Sequence, residues 1–317
     1  MRILVTGAAG YIGSVTSRLL LEAGHEVAGI DDFSQGQRTN LPAGITLLET
    51  DFADLEALSS LGQFDACLHF AAKSVVAESE ANPEKYMETN VTKTRLLLNF
   101  LQSNGCQKIV FSSTASVYGD SSATVLSEAT PISPSNVYAR SKAVIEEDLQ
   151  ALSSSGVLKT AILRYFNAAG SYESHSEHHS PESHLIPLIL EVASGKLSSL
   201  NVYGNDYPTS DGTCVRDYVH VYDIARAHVM ALDYLETHQE LTVNIGAGKG
   251  YSVLEVIAAV EKVTGKKVPY SVAARRSGDP AKLVADISEA KQLLDWSPER
   301  SSLEEIVSSA WNALEKN

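Results

Sequence analysis

The chain has 317 residues, 44% hydrophobic and 20% charged, which suits one large α/β unit or two domains sharing one site. A formal net charge of -14 argues against nucleic acid or an anionic membrane as partner, yet leaves room for a phosphate group held at a helix N-terminus. Cys67, Cys106 and Cys214 form no Cys-x-x-Cys; with no signal-type stretch and no run of about eighteen apolar residues, the chain reads as a cytoplasmic protein without disulfides.

In chain order, strands are predicted over 2–6, 26–31, 45–49, 65–70, 108–112 and 160–164, several of them continuous apolar runs. Helices are predicted near 12–23, 83–103 and 136–152, with Gly24, Gly105 and Gly156 placed to cap them. Alternating strands and helices imply a Rossmann-like, doubly wound parallel sheet. Beyond Asn167 the texture changes: 168–183 is rich in Gly, Ser, His and Glu and reads as a loop. An amphipathic helix through Leu303, Ile306, Val307, Ala310 and Leu314 ends the chain. The expected division is a dinucleotide-binding domain over 1–170 plus roughly 217–245, and a smaller C-terminal α/β substrate domain over 171–216 and 246–317.

Gly7-Ala8-Ala9-Gly10-Tyr11-Ile12-Gly13 follows the first strand and opens a helix. Such glycines let main-chain N–H groups approach a pyrophosphate. Eighteen residues beyond Gly13, at the end of the second strand, stands Asp31, whose carboxylate suits ribose hydroxyls and repels a 2′-phosphate. Asp32 adds to that repulsion and Arg38 is the nearby counter-argument, so NAD is expected rather than NADP. Asp51-Phe52 and Phe70-Ala71-Ala72 follow the third and fourth strands, where ligands sit in open sheets; each also fits a helix cap or a packing position.

Tyr138 and Lys142 stand four residues apart at the start of a helix, on one face. A phenol with a pKa of ~10 is a poor base at neutral pH, and a neighbouring ammonium together with the positive nicotinamide ring is expected to lower it. The preceding strand ends in Phe111-Ser112-Ser113-Thr114 and can deliver a hydroxyl to the same cleft.

These residues, with Val5-Thr6-Gly7, His69-Phe70-Ala71-Ala72, Asn90-Val91 and Arg164-Tyr165-Phe166-Asn167, resemble the extended short-chain dehydrogenase/reductase family. The long run from Tyr203 to Thr213, then Val215-Arg216-Asp217-Tyr218, and Arg275-Arg276-Ser277-Gly278-Asp279 resemble its UDP-hexose 4-epimerase branch, and the likeness covers almost the entire chain. The resemblance implies tightly bound NAD, a UDP-galactose or UDP-glucose substrate, inversion at C4 through a transient 4-keto sugar, a place in galactose metabolism, and a homodimer. Tyr138 would be the acid/base, Lys142 its partner, and Thr114 the hydroxyl that steadies the proton. Ser112, Asn90 and Phe166 would join the cofactor contacts, while Asn167, Leu185, Val202, Tyr203, Arg216, Arg276 and Asp279 would hold the UDP-sugar.

Two departures stand out. Ala72-Lys73-Ser74 replaces the Gly-Leu-Lys of many members, so no cofactor contact is carried over to that lysine. Leu283 stands where a tyrosine often closes the sugar pocket, which leaves room for a 2-acetamido group and admits UDP-GlcNAc and UDP-GalNAc. Rival readings are a related dehydratase or decarboxylase, disfavoured because Ala115-Ser116 rather than an acid pair follows Thr114, and a non-catalytic NAD-binding module. The alternative for Arg216 is an ion pair with Asp211 or Asp217. His175, His178, His179 and His184 read as solvated loop residues, and no metal is expected. Cys67 and Cys106 read as small buried hydrophobes.

Overall fold

The computed structural model describes residues 1–119, 121, 123–173, 175, 182, 184–276 and 279–316, apart from the Lys316 side chain. The first half lays down β1 (Arg2–Thr6), α1 (Tyr11–Glu22), β2 (Glu26–Asp31), β3 (Thr46–Glu49), α2 (Leu55–Ser60) and β4 (Ala66–His69). It continues with α3 (Val76–Ala81), α4 (Pro83–Met87), α5 (Lys93–Ser103), β5 (Lys108–Thr114), the short β6 (Val125–Leu126), α6 (Val137–Ser154) and β7 (Lys159–Tyr165). The second half holds β8 (Asn167–Ala169), α7 (Leu185–Ala193), β9 (Leu200–Tyr203), β10 (Val215–His220), α8 (Val221–Tyr234) and β11 (Glu240–Ile245). After these come β12 (Gly250–Ser252), α9 (Val253–Thr264), β13 (Tyr270–Ala273), β14 (Lys282–Ala285), α10 (Ser288–Leu294) and α11 (Leu303–Lys316).

Seven strands form one parallel sheet in the order β11-β7-β5-β4-β1-β2-β3. Both faces are covered, which is why its strands read as apolar runs. On one face Leu97, Leu98 and Leu101 of α5 and Ile145 and Leu149 of α6 pack against Leu4, Ile30, Ile109 and Phe111. On the other, Leu20 of α1 and Ile224, Ala227 and Ala231 of α8 pack against Ile3, Leu68, Val110 and Leu163. Winding reverses between β1 and β4, which opens a crevice at their carboxyl ends.

A second sheet, β12-β10-β14-β6 with β8 beside β10, lies outside this order, and β9 pairs with β13. Helices α7, α9 and α11 close a separate apolar cluster around Ile189, Val256, Val260 and Ile306. Ala168 and Ala169, at the start of the segment read as a loop, instead belong to the strand Asn167–Ala169, whose main chain pairs with Tyr218–His220. The helix expected over 83–103 is interrupted by a π turn at Glu88–Thr92. Gly24, Gly105 and Gly156 all take positive φ just past their helices, as capping requires. No described helix is long and apolar enough to cross a membrane.

Candidate active site

A cavity of about 590 Å³ runs along the crevice at the carboxyl edge of the main sheet. Gly7 takes φ +71° where β1 turns into α1, and a Cβ there would stand 2.8 Å from the Ala71 main-chain nitrogen. A Cβ on Gly13 would collide with the Gly7 carbonyl oxygen. Only glycine permits this close turn, which leaves the α1 N-terminus facing the cavity with no side-chain cap of its own. Gly10, Tyr11 and Ile12 line the same wall, and the Tyr11 hydroxyl donates to the Gly170 carbonyl at 2.5 Å.

Asp31 also lines the cavity, its carboxylate accepting the Ala9 N–H at 2.9 Å and the Phe33 N–H at 2.8 Å. Burial pushes its pKa up. Asp32 stands beside it at the wall; burial opposes its charge, but the hydrogen bonds from Ser34 and the ammonium groups of Lys73 and Lys93 bring its pKa down. Arg38, the counter-argument to NAD, is engaged elsewhere: it pairs with Glu49 and lies over the Phe33 ring. An uncapped helix N-terminus, a close glycine turn and two carboxylates at the ribose position fit a dinucleotide without a 2′-phosphate. Asp51 and Phe52 line the cavity as well, and Asp51 accepts the Ala53 N–H and pairs with Lys93.

Tyr138, Lys142, Thr114, Ser112, Phe70, Ala71, Ala72 and Phe166 meet along the same cavity. Three first-turn N–H groups of α6 are satisfied from outside the helix, by Asn136, Ser79 and Glu80, which fixes the turn carrying Tyr138. Lys142 Nζ donates to the Ser112 carbonyl at 2.8 Å and lies 4.7 Å from the Phe111 ring centre. Thr114 Oγ1 accepts the Ser116 N–H at 3.1 Å, which leaves its proton for the Tyr138 oxygen. The Lys142 ammonium alone does not bring the phenol's pKa down; the other cation that the expectation needs is the nicotinamide ring. Burial and the nearby Tyr165 and Tyr86 phenols push Tyr138 up, against a pull from Thr114. Burial likewise drives the Lys142 ammonium down to about 7, against the field of Glu146. The protein alone therefore holds Tyr138 as a neutral phenol.

Asn167, Asp279 and Leu283 reach the cavity from the second half of the chain. Asn90 does not line it. Instead Asn90 stands one layer behind the wall, where its side chain pairs with both main-chain groups of Lys73 and donates to Ser141 Oγ at 3.0 Å. Arg216 pairs with Asp279, not with Asp211 or Asp217. Arg276 lies 4.2 Å from the ring centre of the half-exposed Tyr203. Val202 is buried, so only its main chain is presented to a ligand. Leu185 packs into the second apolar cluster. These five stand outside the cavity wall.

His175 is 2% exposed, against the expectation of a solvated residue, and its main chain pairs with Tyr172. His184 lines the cavity; His178 and His179, like Ser277 and Gly278 of the second motif, lie outside the described residues. Among the described residues no cluster of His, Cys, Asp and Glu could hold a metal. The sequence reading did not assign Lys73, Lys93 or Tyr165 to the wall; Lys73 and Tyr165 lay inside quoted motifs, and Lys93 carried no signal.

Sheet topology, glycine turn and buried Tyr/Lys pair together define a Rossmann-fold enzyme that works with a bound dinucleotide. The model of the NAD dependent epimerase/dehydratase family matches residues 3–246, and the chain belongs to that family. A UDP-glucose 4-epimerase of Corynebacterium glutamicum is 44% identical over 312 residues, covering 98% of this chain and 95% of the relative. One of Bacillus subtilis is 41% identical, covering 100% and 98%. The crystal structure of a Stenotrophomonas maltophila UDP-glucose-4-epimerase, with bound NAD and formylated UDP-arabinopyranose, superposes at TM-score 0.96 with 38% identity, covering 100% of this chain and 98% of that one. The UDP-Glc/GlcNAc 4-epimerase of Campylobacter jejuni superposes at 0.89 with 39% identity, covering 100% and 99%.

Proposed function

We infer that this chain is a UDP-glucose 4-epimerase: it interconverts UDP-galactose and UDP-glucose by inverting C4, with NAD held throughout. The observation that carries the reading is the buried meeting of Tyr138, Thr114 and Lys142 on a cavity continuous with the glycine turn. Gly7, Gly10, Tyr11, Ile12 and Gly13 would hold the pyrophosphate, Asp31 and Asp32 the adenosine ribose, and Asp51 with Phe52 the adenine. Ser112, Tyr138, Lys142, Phe70, Ala71, Ala72 and Phe166 would border the nicotinamide end, with Asn90 acting through Lys73. Bound in its oxidised form, NAD supplies the acceptor for hydride from sugar C4 and a positive charge beside the phenol.

Tyr138 takes the proton from the C4 hydroxyl and later returns it to that same oxygen, once the sugar has turned and C4 has regained hydride on its other face; the Thr114 hydroxyl donates to the Tyr138 oxygen. Burial makes that phenolate costly in the bare protein, so Tyr138 becomes a base only when cationic charge enters the site. The transient 4-keto sugar must present both faces, so UDP is the firm anchor and the hexose end is loose. Arg216 and Arg276 suit the diphosphate and Asp279 a ribose hydroxyl, which means the Arg216–Asp279 pair opens onto the ligand. Asn167, Leu185, Tyr203 and the Val202 main chain complete that side. Leu283 at the wall leaves space for a 2-acetamido group, so UDP-GlcNAc and UDP-GalNAc are substrates too.

The NAD-binding unit would span 1–170 with 217–245, which hold the seven sheet strands, and the UDP-sugar unit 171–216 with 246–317. A homodimer through the 83–103 and 136–152 helices is supported by exposed apolar residues on the first of these segments, Met87 on α4 and Leu96 on α5. Three free thiols suit a cytoplasmic setting.

Tyr138→Phe tests the assignment. The variant should fold, retain NAD and lose at least ~100-fold in kcat on UDP-galactose. Normal turnover by folded, NAD-loaded Tyr138→Phe would defeat the reading.

A further inference from the structure

One charged cluster beneath the site has no part in the mechanism above. Glu146 follows Lys142 by one turn of α6 and is 1% exposed. Its carboxylate takes Arg164 Nη2 at 2.6 Å, Arg164 Nε at 3.1 Å and the Ser113 hydroxyl. Ser113 and Arg164 are register partners on β5 and β7, so both reach Glu146 from the same face of the sheet. Ser113 also lies between the two residues that touch the catalytic pair: the Ser112 carbonyl holds Lys142, and Thr114 holds Tyr138.

We propose that Glu146 is a positioning residue of the reaction, clasping Ser113 and Arg164 so that the end of β5 meets Tyr138 and Lys142 in register, and lending the ammonium a fixed counter-charge. This rests on the epimerase reading for what the pair does. A hydrophobic contact would hold helix to strand as well, so a buried ion pair here needs another reason. The other titratable groups facing the pair are neutral: burial pushes His69 down to about 3 and pushes the phenols of Tyr86 and Tyr165 up. Among the described residues Glu146 is thus the negative charge that Lys142 feels, with Arg164 as its own partner.

Three NAD-loaded variants decide it, assayed with UDP-galactose from about pH 5 to 10. Glu146→Gln removes the charge and should move both limbs of the kcat profile to lower pH by about one unit, since ammonium is disfavoured and phenolate favoured. Its kcat at the optimum should fall roughly tenfold with KM unchanged. Glu146→Asp keeps the charge but shortens the clasp, so kcat should fall while both limbs stay in place. A folded Glu146→Gln whose limbs coincide with wild type overturns the proposal. If Glu146→Gln does not fold, Ser113→Ala decides: a kcat loss of about threefold or more at unchanged KM supports the clasp, and wild-type kcat overturns it. Phenolate absorbance of Tyr138, taken as wild type minus Tyr138→Phe, reads the same shift without turnover. An inactive wild-type protein would therefore sink the epimerase reading and leave this one measurable.

Discussion

Leu283 pairs in register with Arg216 where β14 meets β10, so its side chain reaches the cavity from a strand rather than from a mobile loop. A substituent there acts on ligand width without disturbing the Tyr138 turn, which is built on α6 and β5. Leu283→Tyr should lower kcat/KM for UDP-GalNAc at least ~30-fold while leaving UDP-galactose within about threefold, because a filled pocket rejects the larger group by sterics alone. Equal losses on both substrates would show that Leu283 does not border the acetamido position. In the catalytic pair, the ammonium by itself does not make Tyr138 a base. Spacing put Tyr138 and Lys142 on one helical face but said nothing of solvent, and in the folded site burial outweighs the ammonium. Lys142 spends its nearest hydrogen bond on the Ser112 carbonyl.

The π turn at Glu88–Thr92 adds one residue to the helix path between α4 and α5 and turns Asn90 inward. There the Asn90 amide pairs with the Lys73 peptide as a neighbouring strand would, and ties it to Ser141 in the catalytic turn. Asn90→Ala leaves these groups without partners and should cost about 1–3 kcal/mol of stability. It should also loosen the Phe70–Ala72 wall, so that NAD is lost on dialysis faster than from wild type. Unchanged melting temperature and NAD retention together would refute this tie. The turn was invisible in the sequence because apolar periodicity reads straight through it: Leu97, Leu98 and Leu101 keep a helical spacing on the far side. Strands β1 and β2 were legible to the residue, since buried parallel strands are continuous apolar runs bounded by turns. Strand β8 was not, because three polar and small residues pair only once β10 lies beside them.

Across the whole molecule, the Rossmann half was readable; in the second half the closing helix, Leu303–Lys316, was readable and the strand pairings were not, for a reason of distance. Glycine turn, Asp31 and Tyr138 are marked by local spacing, whereas the Arg216–Asp279 pair joins residues that no local pattern relates. Buried titratable groups outside the site are a second property that appears only on folding, and they set how the protein meets acid. Burial holds His69 at about 3 and His220 and His228 at about 4, so all three stay neutral in the fold while the unfolded chain takes up protons near pH 6.5. Their stabilisation is complete above pH 6.5 and is lost as pH falls towards 4, at up to ~1.4 kcal/mol per pH unit for each. Asp217 has the opposite sign: burial, against three main-chain N–H donors, lifts it to about 6, so its contribution is greatest below its ordinary range and is lost as pH rises through 6. Three histidines outweigh one aspartate. Unfolding free energy from denaturant titration should therefore fall by several kcal/mol between pH 7 and pH 5, about 2–4 after the Asp217 offset. Among the described residues His228 Nε2 has no hydrogen-bond partner, and its ring packs on Phe70 at 4.7 Å, so His228→Phe should remove about a third of the histidine slope. Equal unfolding free energies for wild type at pH 7 and pH 5, or an undiminished slope in His228→Phe, would mean that these imidazoles reach water in the native state.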